Sequence, residues 1–214
     1  MSSSASNAAD GALVTLHEVE KRYGSRTVLR IDRFELCRGD SLLVTGANGS
    51  GKSTMMRLLS GISVASSGRV RQTPAYRAMK VCHVPQAGGL HPGLSLADNL
   101  RAWQRLVGSE GPADLAAQWY IRGLDLEPFM QTRCGELSGG FQRLAALACA
   151  LATDPDGLFI DEPLSGIDTS HANALLQGLA AERSRLQFLV ATGHAPDEFT
   201  PATRVLDLSA GVLA

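Results

Sequence analysis

Gly46-Ala47-Asn48-Gly49-Ser50-Gly51-Lys52-Ser53-Thr54 sets glycines at fixed offsets before a lysine and two hydroxyls, a combination suited to holding a polyphosphate. The glycines let the backbone turn tightly enough for successive N–H groups to face one anion. Lys52 is spaced to reach β- and γ-phosphates, and the Ser53 hydroxyl to ligate Mg2+. A helix expected over residues 54–59, ended by Gly61, turns the positive end of its dipole toward the same anion. The apolar run Leu42-Leu43-Val44 is the strand that feeds it. A plain glycine-rich turn would share the glycines, but the lysine and hydroxyl together point to nucleoside triphosphate binding.

Two further groups carry chemistry. Leu158-Phe159-Ile160-Asp161-Glu162 is an apolar strand ending in two carboxylates. Beside a phosphate loop, Asp161 suits Mg2+ opposite Ser53, and Glu162 suits a base or water-positioning group. Without that neighbour the pair is a polar turn before Pro163. Leu137-Ser138-Gly139-Gly140-Phe141-Gln142-Arg143 places a hydroxyl and two glycines at the opening of a helix, a second anion-seeking element. In isolation it is a serine N-cap.

The elements that must position these residues alternate. Short strands are expected at 13–16, 26–29, 34–36, 81–84, 158–160, 188–191 and 205–208, with another after Gly68. Helices are expected over 96–107, 113–124, 141–152 and 171–185. The fold class is therefore α/β: a phosphate-loop NTPase core with a mixed sheet, an N-terminal antiparallel β subdomain and an inserted α-helical subdomain over about residues 95–152. Residues 1–12 read as a disordered tail and 13–214 as one domain.

Composition narrows the class. The 214 residues are 44% hydrophobic and 19% charged, with net charge -1, the balance of an ordinary globular protein. No dense basic run marks a nucleic-acid partner. The longest apolar stretch, 144–152, is too short to cross a bilayer. The first residues have neither the basic nor the apolar region of a secretory signal. Cys37, Cys82, Cys134 and Cys149 are scattered without metal-ligand spacing and read as reduced thiols of a cytoplasmic protein.

With these motifs in this order, residues 13–214 resemble an ATP-binding cassette (ABC) ATPase. The Gly46–Thr54 loop is similar to the family's Walker A, residues 158–162 to Walker B with Glu162 as catalytic base, and Ser138-Gly139-Gly140 to the signature turn. Gln86, after Val84-Pro85, resembles the Q-loop glutamine near Mg2+. Asp168 resembles the D-loop aspartate, His194 the switch histidine, and Tyr23 the aromatic that stacks on adenine. Three positions depart from the family pattern: Ala47 replaces a frequent proline, Phe141 a frequent glutamine, and Gly157 an apolar residue, which suggests a shortened strand.

The resemblance implies ATP and Mg2+, and a head-to-tail dimer in which each nucleotide lies between the Lys52 loop of one subunit and the Ser138-Gly140 turn of the other. Because every catalytic position holds a competent residue type, a homodimer follows more naturally than a heterodimer. The implied partners are transmembrane subunits on a separate polypeptide, with this chain at the cytoplasmic face of the membrane. Residues 84–100 resemble exporter-type cassettes. A soluble cassette ATPase without a transport role is the alternative; a kinase or GTPase would leave the Ser-Gly-Gly element without a use.

Overall fold

Alternation along three short strands dictates the layering. The computed structural model describes residues 11–112, 114–208, 212 and 213. Strands β3 (Ser41–Thr45), β6 (Gly157–Ile160) and β7 (Phe188–Thr192) are buried throughout. Leu43, Leu158, Ile160, Leu189 and Ala191 join one hydrophobic cluster, whereas Leu42, Val44, Phe159, Phe188 and Val190 join another. Successive side chains point to opposite faces of a sheet, so this sheet carries a core on each side.

With β5 (Val81–Val84) and β8 (Arg204–Asp207) it forms a parallel five-stranded sheet of order β5-β6-β7-β3-β8. One face packs on α3 (Leu96–Leu106), α5 (Gly139–Leu151) and α6 (Thr169–Glu182). The other packs on α1 (Lys52–Leu59) and on a second sheet, in which β1 (Ala12–Tyr23) pairs antiparallel with β2 (Arg26–Cys37) and β4 (Ser67–Gln72). The two-residue strand β9 (Val212–Leu213) adds parallel to β2. The chain is thus α/β with a mixed N-terminal sheet, a parallel core sheet and helices inserted between β5 and β6.

Several boundaries differ from expectation. The strands expected at 26–29 and 34–36 are parts of one twelve-residue strand, and β1 runs well past residue 16. Glu18, at φ 51, shifts the phase of β1, so the buried positions step from Val14 and Leu16 to Val19. Gly68 is required opposite it, because a Cβ there would lie 2.1 Å from the Glu18 carbonyl oxygen. Ala12, expected in the tail, is instead in β1; residues 1–10 of the expected tail lie outside the described residues.

The expected helix 113–124 shrinks to α4 (Trp119–Arg122); Ala113 lies outside the described residues. Asp114 accepts a hydrogen bond from the Ala117 N–H at 3.1 Å, and Gln118 Nε2 donates to the Asp114 carbonyl at 3.0 Å. These local bonds compete with a helical turn and delay its start. A further short helix, α2 (Pro74–Arg77), precedes β5 and is capped by Thr73.

Gly157 does not shorten its strand. It pairs with Val81 on one side and Phe188 on the other, and a Cβ would lie 2.2 Å from the Phe188 ring. The glycine makes room for an aromatic stack in which Phe188 meets Phe159 at 5.1 Å and Tyr76 at 5.8 Å. Gly157→Ala is therefore expected to destabilise the fold by about 1–3 kcal/mol through overpacking. Urea denaturation checks this; an unchanged midpoint would mean that the ring has space to move.

The four cysteines are free thiols. Burial pushes the Cys82, Cys134 and Cys149 thiols above their ordinary range, which disfavours the thiolate form.

Candidate functional site

Parallel pairing in the order β5-β6-β7-β3 brings the carboxyl ends of four strands side by side. Each end carries a residue singled out by sequence. Gln86 follows β5, Asp161 and Glu162 follow β6, His194 follows β7, and Gly46 follows β3. Ligands of open α/β sheets bind outside this edge.

The loop after β3 is shaped for an anion. Gly46 has φ 142 and Gly51 φ 101, conformations that L side chains rarely adopt. A Cβ on Gly51 would also lie 2.9 Å from the Val28 carbonyl oxygen. Gly51 is the N-cap of α1 and supplies no side-chain cap. Lys52 is buried, with Nζ 2.7 Å from the Gly46 carbonyl oxygen and 3.3 Å from that of Ala47. The Ser50 hydroxyl oxygen is buried without a hydrogen-bond partner among the described residues. An ammonium bonded to loop carbonyls, an orphaned hydroxyl and an uncapped helix start together fit a bound phosphate chain.

Asn48, Gly49, Gly51, Lys52, Ser53 and Thr54 line a cleft of about 520 Å³ with Val28, Gln86, Glu162, Ser165 and His194. Glu162 is held from several directions. Its N–H donates to Thr192 Oγ1 at 2.8 Å, Gln86 Nε2 donates to its Oε2 at 2.6 Å, and His194 Nε2 lies 3.5 Å from its Oε1. Its backbone sits at φ 50, a strained conformation for a residue other than glycine, which persists when surrounding contacts enforce it.

Asp161 is buried just after β6, and Thr192 Oγ1 donates to its Oδ1 at 2.6 Å. No cluster of three or more His, Cys, Asp or Glu residues exists among the described residues. Ser53, which lines the cleft, and Asp161 offer the hydroxyl and carboxylate oxygens that suit Mg2+, an ion that takes few protein ligands and completes its shell with phosphate oxygens and water.

The Ser138-Gly139-Gly140 turn stands apart. It lines a different cavity of about 640 Å³, which it shares with Gln86, Arg143, Ser165 and Gly166. Ser138 caps α5 by accepting the Phe141 N–H at 3.3 Å. A Cβ on Gly140 would lie 2.7 Å from the Gly166 carbonyl oxygen, so this glycine lets the 164–168 loop pass close by. Phe141 turns inward, 4.7 Å from the Phe129 ring and 5.3 Å from the His171 ring, while Gln142 donates back to the Leu137 carbonyl.

Asp168 caps α6, accepting from the Ser170 and His171 N–H groups at 2.9 and 3.1 Å. The bonds from the backbone and ring of His171 hold its carboxyl below the usual range. Tyr23, half exposed at the end of β1, is not among the residues lining the cleft; Lys21 Nζ lies 5.1 Å from its ring centre.

With this arrangement in view, the match of residues 29–165 to the ABC transporter family model decides the family. The chain belongs to the ABC transporter family. Nod factor export ATP-binding protein I of Paraburkholderia xenovorans is 31% identical over 195 residues, which cover 87% of this chain. The chain spans 64% of that relative's length. Linearmycin resistance ATP-binding protein LnrL of Bacillus subtilis is 28% identical, covering 87% of this chain and 62% of the relative. The fold is shared with the dimeric post-hydrolysis state of an ATP-binding cassette bound to ADP and Pi, at TM-score 0.79 and 23% identity, covering 94% of this chain and 96% of that one. No helix among the described residues of this ABC-family chain is long and apolar enough to cross a membrane.

Two side chains at the site carry no signal as isolated residue types. Thr192 bridges Asp161 and the Glu162 backbone. Arg143 donates to the carbonyls of Asp161, Glu162 and Gln86. Burial lowers the Arg143 pKa, and the charges of Glu162 and Asp161 act in the opposite direction. Arg143 stands next to the Ser-Gly-Gly motif in sequence, and that adjacency is the available clue.

Proposed function

We propose that this chain is an ATP-hydrolysing, energy-coupling subunit of a membrane transporter of export type. The observation that carries this reading is the division of the anion-seeking elements. Lys52, Glu162 and His194 line one cleft and Ser138, Gly139 and Gly140 another, with Gln86 and Ser165 bordering both. A site divided in this way is completed by a second copy placed head to tail, whose Ser138–Gly140 turn closes over the phosphates at the first copy's Lys52 loop. ATP links the two copies, and phosphate release frees them.

Within each site, the Gly46–Thr54 backbone and Lys52 hold the phosphates, while Tyr23 stacks on adenine. Ser53 and Asp161, with Gln86 nearby, would hold Mg2+, which would supply charge neutralisation during phosphoryl transfer. Glu162 accepts the proton of the attacking water. Gln86 and His194 orient that carboxylate, and Asp168 sets the loop that reaches the opposite subunit. Helices 95–152 form the subdomain that meets the transmembrane partner. The chain works as a homodimer on separate transmembrane subunits, at the cytoplasmic face of the membrane. The export names of the relatives support the direction.

Ser138→Arg tests the divided site. The variant is expected to bind ATP as an isolated chain and to lose ATP-dependent pairing, because the added side chain occupies the signature turn and leaves the Lys52 loop intact. Nucleotide binding and sedimentation are measured separately. Loss of both together would argue against a site shared between copies.

A further inference from the structure

The Arg143 guanidinium lies where α5 meets the strand ends. Its Nη1 donates to the carbonyl oxygens of Asp161 at 3.2 Å and Glu162 at 2.7 Å, and its Nη2 to that of Gln86 at 2.5 Å. These carbonyls belong to two segments, one after β5 and one after β6. A planar guanidinium presents its donors in a rigid fork, so three acceptors on two segments become fixed relative to one another. The segments also meet through the Asp161 N–H, which donates to the Val84 carbonyl at 2.9 Å, and through the Gln86–Glu162 side-chain bond.

The placement matters because of Glu162. Its left-handed backbone requires enforcement from its surroundings. The Thr192 hydroxyl fixes its N–H and Arg143 fixes its carbonyl, so the peptide groups on both sides of Glu162 are held. Arg143 also lies on the helix that Ser138 opens. The fork therefore connects the signature helix to the carboxylate end of β6 within one subunit.

We propose that Arg143 is a positioning residue for hydrolysis, fixing the Gln86 and Glu162 backbones to α5 so that the orientation of this helix sets where the Glu162 carboxylate lies. The proposal rests on the reading above that Glu162 serves as base. Arg143 is not itself among the residues lining the nucleotide cleft; it lines the neighbouring cavity and reaches the cleft through the Gln86 and Glu162 backbones.

Arg143→Lys and Arg143→Ala in the full chain test this. A lysine keeps the charge but presents one ammonium in place of the fork, so it should not span the three carbonyls. Both variants are expected to lower kcat about ten- to a hundred-fold, the scale of a roughly 1 Å misplacement. KM for ATP should stay near wild type, because the Lys52 loop is untouched. Hydrogen exchange without nucleotide supplies a readout independent of turnover: amides of residues 86–88 and 162–165 should exchange faster, with those of α1 unchanged.

Unchanged exchange in both variants, or wild-type kcat in the lysine variant, would overturn the proposal. So would a fall in kcat accompanied by an equal loss of ATP affinity. A wild-type chain that binds ATP without hydrolysing it would instead remove the role of Glu162 as base, while the exchange arm would still decide whether Arg143 holds these segments.

Discussion

Lys52→Ala is expected to abolish measurable ATP hydrolysis and to weaken nucleotide binding strongly. The ammonium is buried in the loop, where its carbonyl partners are Gly46 and Ala47. A phosphate chain entering the cleft meets this preplaced cation at little cost of reorganisation, and a hydrogen bond to a charged group is worth about 1.5–3 kcal/mol. Its loss should weaken binding by about ten- to a hundred-fold. Turnover should fall further, because the lysine also offsets charge that develops during transfer. Fluorescent-nucleotide titration and phosphate release measure the two effects separately, with a thermal melt to show that the loop change leaves the fold intact. Normal turnover by the variant would mean that the Gly46–Thr54 loop is not the phosphate site.

The parts legible in the sequence are those governed by local rules. The phosphate loop needs its glycines, lysine and hydroxyls within nine consecutive positions, and the strand before Asp161 is apolar on both faces. Such features survive without knowledge of the tertiary structure. The half-exposed N-terminal sheet is different. Charged residues such as Glu20, Arg30 and Arg33 interrupt its apolar pattern, and the bulge at Glu18 shifts its phase, so two long strands read as fragments.

Gly157 illustrates a second limit. Its lack of a side chain weakens a strand signal, yet the strand needs that absence because the Phe188 ring fills the space from a distant segment. Arg143 and Thr192 act on groups far away in sequence through backbone carbonyls and N–H groups, for which no residue pattern exists. Phe141 was readable only as a departure from a family pattern; its packing against Phe129 and His171 explains where the side chain goes.

Glu162→Gln is expected to trap the protein in its ATP-bound form. The substitution preserves shape and leaves the acceptor that Gln86 Nε2 approaches at 2.6 Å. The backbone bond from the Glu162 N–H to Thr192 and the Arg143 contact are also untouched. ATP affinity should therefore survive, since Lys52, Ser53, Asp161 and the loop amides are unchanged. What disappears is the proton acceptor beside the γ-phosphate, so hydrolysis should fall by about 10²–10⁴-fold, the usual scale of a lost general base. Because the signature turn lies outside the cleft of its own chain, intact ATP should then hold two copies together. Size-exclusion chromatography of the variant should show a dimer in ATP and a monomer in ADP, with Mg2+-free ATP showing whether the cation is needed for closure. A kinase-like or GTPase-like site has no such second clamp and would give no ATP-dependent dimer. A monomer in every nucleotide would sink the sandwich arrangement for this chain, and hydrolysis at the wild-type rate would show that the base lies elsewhere.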